Sequence, residues 1–98
     1  MTELDKVQCA EFTAYLNQDF EIATSGAPLV LRLSEARPLA PRAESVREPF
    51  ALTFLSAPQL RLPQGIYRMT NAQMGVLEIF LVQIGADQNG STFEAVFN

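Results

Sequence analysis

No histidine occurs among the 98 residues, and cysteine occurs once, as Cys9. The first absence removes the commonest general base and the commonest transition-metal ligand. The second excludes an intrachain disulfide. Charge is also sparse: 18% of residues are charged against 48% apolar, a balance too hydrophobic for a disordered chain. Basic residues are the scarcer sign, seven Lys and Arg against eleven Asp and Glu, for a net charge of −4. Nucleic acid and anionic membrane both select a basic footprint, so the balance argues against either partner. Long hydrophobic runs are missing too. The densest, residues 76–84, is broken by Glu78 and Gln83 and falls far short of the roughly 20 residues that span a bilayer. The start, Met1-Thr2-Glu3-Leu4-Asp5-Lys6, has neither the basic residues nor the apolar run of a signal peptide. The cytoplasm is therefore the default expectation, with leaderless export inside an assembly as the other route. The chain is read as one domain, 1–98, long enough to bury about two-thirds of its unfolded surface.

What the chain does have is alternation. Phe12, Tyr15 and Leu16 stand at i, i+3 and i+4, which predicts a short helix within residues 7–16, ended by Asn17-Gln18-Asp19. From Phe20 the period becomes two. Phe20 and Ile22, then Leu29, Leu31 and Leu33, flank the turn residues Ser25-Gly26-Ala27-Pro28 and predict a hairpin. Setting Thr24 against Leu29 places Ile22 opposite Leu31, Phe20 opposite Leu33 and Glu21 opposite Arg32. Residues 37–49 carry Pro38, Pro41 and Pro49 among Arg37, Arg42, Glu44, Arg47 and Glu48, and read as a long exposed loop. Phe50, Leu52 and Phe54 mark a third strand, and residues 66–70 a fourth. After the turn Asn71-Ala72-Gln73-Met74-Gly75, residues 76–84 are apolar on both faces and predict a central strand. Residues 85–90 form a turn, and Phe93, Ala95 and Phe97 mark the last strand. One helix ahead of six strands leaves no βαβ unit. The predicted fold is mainly β (α+β), a small antiparallel β-sandwich or partly closed barrel of about six strands, with the N-terminal helix over one open end.

Candidate chemistry is thin. Cys9 has no histidine to activate it and reads as a small hydrophobe. Asp87-Gln88-Asn89-Gly90 suits a β-turn better than a calcium loop, because it lacks alternating ligands and a distal Glu. Glu78 and Glu94 are the acids inside the apolar C-terminal strands and could form a catalytic carboxylate pair. The turn at residues 71–74, however, can set Ile66 opposite Phe80 and Arg68 opposite Glu78, so a cross-strand ion pair accounts for Glu78 without catalysis. Arg37, Arg42 and Arg47, spaced by five, together with Arg61, could meet an anion or a partner. A solvated loop, with Glu44 and Glu48 as local counter-charges, explains them as simply. No metal or cofactor is implied.

Four blocks carry a resemblance. Arg47-Glu48-Pro49-Phe50-Ala51-Leu52-Thr53-Phe54, Leu62-Pro63-Gln64-Gly65-Ile66-Tyr67-Arg68, Gly75-Val76-Leu77-Glu78-Ile79-Phe80-Leu81-Val82 and Glu94-Ala95-Val96-Phe97-Asn98 resemble a family of small bacterial proteins with a domain of unknown function. The resemblance covers about residues 45–98. It implies no activity and no catalytic residues. It does imply association, since members of that family resemble companions of phage-tail-collar-like fibre proteins. The chain departs from the family at Asn71-Ala72, where relatives often carry histidine and proline.

These readings converge on a non-enzymatic protein-binding or assembly module, accessory to a tail-collar-like fibre assembly. A small carboxylate-based enzyme or ligand-binding barrel is the alternative, and a homo-oligomer with a purely structural role is a third. The partner is expected at the proline loop, with Arg42 and Arg47 as polar contacts and Leu39 and Val46 as apolar anchors. With no base to activate Cys9, Cys9→Ser is expected to leave stability and partner binding within about 1–2 kcal/mol of wild type. Chemical denaturation and binding titrations check this. Rapid selective alkylation near neutral pH with loss of function would contradict it.

Overall fold

Alternation of apolar and polar residues sends every second side chain to one side of a strand. In this chain that side is the inside of a closed barrel. A computed structural model describes residues 9–24, 26–39, 49–58 and 60–97. A short helix, α1 (Cys9–Thr13), precedes β1 (Asp19–Ile22), β2 (Leu29–Pro38), β3 (Phe50–Ser56), β4 (Gly65–Asn71), β5 (Gly75–Asp87) and β6 (Gly90–Phe97). The strands close in the order β1-β2-β3-β6-β5-β4, and all pairings are antiparallel. Two meanders, β1–β3 and β4–β6, are joined by the 57–64 connection and by the β3–β6 and β4–β1 ladders. The predicted barrel therefore closes on itself. Among the described residues no helix is long and apolar enough to cross a membrane.

The interior is filled by alternate side chains. Leu31 and Leu33, Leu52 and Phe54, Leu77, Ile79 and Leu81, and Phe93 and Ala95 are all buried. Phe20 meets Phe54 edge-on, with ring centroids 5.4 Å apart. Phe50 and Phe97, paired across β3 and β6, stack at 4.7 Å, and Phe12 of α1 closes over both at 5.8 and 5.9 Å. The helix thus covers one barrel end, as its apolar face predicts, with Tyr15 and Leu16 packed against the core. It is shorter than the 7–16 expected, and residues 7 and 8 lie outside the described residues. Asn17, at φ 70°, ends the turn after it in the left-handed region that asparagine tolerates.

Three expectations are corrected. The first hairpin pairs Ile22 with Leu29, Phe20 with Leu31, Glu21 with Val30 and Asp19 with Arg32. This is two residues from the expected register, and a shift of two keeps every side chain on its own face. The second strand runs on through Arg37 to Pro38, where a loop was expected. A bulge between Leu33 and Glu35 sets Ser34 aside and moves the inward position to the even-numbered Ala36, which hides the strand from a period-two reading. Pro38 is the last strand residue and pairs only with Phe50 on β3, so its missing N–H breaks no second ladder. β5 is likewise longer than expected, with a bulge between Gln83 and Gly85. Its inner face is covered, but Phe80 and Ile84 on the other face remain exposed. In a barrel every strand has two neighbours, so an apolar outer face no longer marks a buried central strand.

Two polar clamps hold the connections. Asn71, almost fully buried, donates from Nδ2 to Gln18 Oε1 (3.2 Å) and to the Asp19 carbonyl (3.0 Å). Its Oδ1 accepts from the N–H groups of Gln73 and Met74, both at 2.9 Å. The β4–β5 turn, completed by Gly75 at φ 84°, is thereby tied to the start of β1. At the other end, the single hydroxyl proton of buried Ser91 faces the carbonyls of Leu60 (2.9 Å) and Pro58 (3.1 Å), and Gln83 bonds Leu60 and Leu62.

Asn71→Ala leaves two backbone N–H groups and two acceptors without their partner. It is expected to cost at least about 2 kcal/mol in urea denaturation. A Cβ on Gly90 would lie 2.8 Å from the Ser56 carbonyl oxygen, so backbone must shift. Gly90→Ala is expected to destabilise by about 1–3 kcal/mol in the same measurement.

Candidate partner-binding surface

The ladder that buries Met69, Leu77, Ile79 and Leu81 also decides what faces out. Alternation along β4 turns Ile66, Arg68 and Thr70 outward, and along β5 Val76, Glu78 and Phe80. The β4–β5 register then sets Ile66 opposite Phe80, Arg68 opposite Glu78 and Thr70 opposite Val76. The first two of these pairings match the sequence expectation. Ile66 is 70% and Phe80 49% exposed, and Val96, facing out from β6, is 49% exposed. Single exposed apolar residues are ordinary, but two large ones in direct cross-strand contact form a patch of the kind that contacts proteins. The signal is present in the sequence, where residues 76–84 are apolar on both faces, a pattern that by itself predicts burial.

The expected site at the proline loop is only partly visible. Leu39 is half-buried, and its N–H donates to the Pro49 carbonyl at 2.8 Å, closing the neck of the β2–β3 connection. Arg42, Val46 and Arg47 lie outside the described residues. Arg37 belongs to β2 and not to the loop, with ion pairs to Glu35 at 3.1 Å and Glu94 at 3.6 Å. Arg61 donates to the Pro58 and Leu60 carbonyls at 3.2 and 3.1 Å and to Ser91 Oγ at 3.4 Å. Both side chains are thereby engaged within the fold.

The carboxylates do not gather. Glu94 pairs with Val82 across β5, which puts it four residues along the strand from Glu78. At roughly 3.3 Å per residue that is about 13 Å, beyond the span of about 5–9.5 Å that paired glycosidase carboxylates use. Arg68 and Glu78, although opposite, form no ion pair with each other among the described residues. Asp87 Oδ1 accepts from the N–H groups of Asn89 (2.7 Å) and Gly90 (3.1 Å), a turn built by its own side chain. Among the described residues no three cysteine, aspartate or glutamate side chains are grouped to hold a metal ion.

A shallow cleft of about 380 Å³ lies outside β1, β2 and β3 beside the β5–β6 turn, lined by Asp19, Arg32, Leu55, Ser56, Asp87 and Thr92 among others. Its lining holds one guanidinium and two carboxylates. Asp19 is the direct cross-strand neighbour of Arg32, and Asp87 is engaged by the N–H groups of its own turn.

No curated protein and no solved structure matches the chain. A family model does, over residues 7–97, which takes in the helix and all six strands. The chain belongs to the DUF6916 family, a domain of unknown function.

Proposed function

We propose that the chain is a non-enzymatic protein-binding module that joins a larger assembly through the outer face of the β4–β5 hairpin. One observation carries this reading: Ile66 and Phe80 stand directly opposite each other and are 70% and 49% exposed. The barrel interior is filled with side chains, so the chemistry on offer lies outside. A fibre of the tail-collar-like kind is the larger assembly that the resemblance favours. The proline loop supplies a second contact, with Arg42 and Arg47 polar and Leu39 and Val46 apolar. Its neck adjoins the Pro38–Phe50–Phe97 row, next to the row that holds half-exposed Val96.

The experiment is in-cell cross-linking at native expression level, comparing wild type, Phe80→Glu and a chain whose residues 39–47 are replaced by a Gly/Ser linker of equal length. Phe80→Glu is expected to keep the fold by circular dichroism and to reduce captured partner at least about tenfold. The linker variant is expected to reduce capture less. Unchanged capture in Phe80→Glu would overturn the proposal.

A further inference from the structure

The outer face of the β4–β5 hairpin is complementary to itself, and we infer that its occupant is a second copy of this chain, related by a twofold axis along the strands midway between β4 and β5. The inference rests on the reading of this face as a protein contact, and it names the partner.

The geometry follows from three rows. Across the ladder stand Ile66 with Phe80, Arg68 with Glu78, and Thr70 with Val76. A twofold along the strands lays β4 of one copy over β5 of the other and preserves each row. Ile66 then meets the partner copy's Phe80, Arg68 its Glu78, and Thr70 its Val76, each twice by symmetry. Apolar meets apolar, cation meets anion, and no like charges coincide. A twofold across the strands through the middle row would instead set Arg68 on its own symmetry mate, so charge selects the first axis.

The charged row is free for this. Arg68 and Glu78 are both exposed, and neither forms an ion pair within its own chain among the described residues. The β4–β5 backbone is occupied in a seven-pair ladder, so the contact is face to face and not an added strand. A standard interface takes about 800 Å² per copy. Half-exposed Val96 on β6, the neighbour of β5, is the apolar flank over which such a contact widens.

Charge reversal separates this contact from anything within one copy. Sedimentation equilibrium of the purified chain, from about 1 to 200 µM, is expected to show a monomer–dimer equilibrium. Arg68→Glu and Glu78→Arg each place like charges across the axis and are expected to weaken it at least about tenfold. An equimolar mixture of the two variants places opposite charges across the axis again. It is expected to form a heterodimer within about threefold of wild-type affinity, which no intrachain contact could restore. Thermal melts of each variant confirm the fold. A wild-type chain that stays monomeric over this range, or a mixture that fails to associate, overturns the inference. In that event, loss of captured partner in Phe80→Glu still upholds this face as a contact for another protein. An unchanged capture removes both readings.

Discussion

The barrel is closed by two residue pairs, Glu21 with Thr70 and Ile22 with Met69. Every other ladder is at least twice as long, so this seam is the weakest link in a sheet that has to meet itself. Asn71 sits beside it, and its four hydrogen bonds join the β4–β5 turn to the residues that open β1. The net worth of such bonds is modest, but their loss inside the fold leaves polar groups unsatisfied, and that cost is larger. The seam holds because the side chain that shapes the turn also grips the neighbouring strand. This accounts for an asparagine at a position that could otherwise suggest chemistry.

Closure also sets where function can reside. Six strands give a barrel whose inner positions are filled by side chains such as Phe20, Phe54, Ile79 and Phe93. The α1 end is filled by Phe12 over the Phe50–Phe97 stack. Recognition is left to the outer surface, where Val30, Ile66, Phe80, Ile84 and Val96 are exposed while Val76 and Val82 are half-covered. Among the exposed ones, Ile66 and Phe80 stand directly opposite each other across one ladder. On the same face, opposite charges stand side by side without pairing inside the chain.

Bulges explain why parts of the fold were hard to read from alternation. At Ser34 and at Ile84 one extra residue shifts the inward set from odd to even. A period-two pattern carried through such a point looks like the end of a strand. Alternation alone therefore predicts a shorter β2, with Arg37 and Pro38 in the loop, and a β5 that ends at Ile84. The Gln83 side chain, turned inward just before its bulge, bonds the 57–64 connection instead of ending the strand.

The helix face, the six strands, the inward set of aromatic and leucine residues and the β4–β5 register were legible in the sequence. Each depends on the spacing of neighbouring residues and on turn chemistry at one connection. The register of the first hairpin was legible only to within two residues, because a shift of two leaves both faces unchanged and local pattern cannot detect it. Closure, the β3–β6 pairing and the role of Asn71 join residues about 35 to 53 positions apart, and no local period records them. The candidate surface fell between these cases. The apolar residues of 76–84 were plain in the sequence, yet whether their second face is covered or open depends on which elements pack outside the barrel. Only the tertiary structure decided that, leaving Ile66 and Phe80 in water.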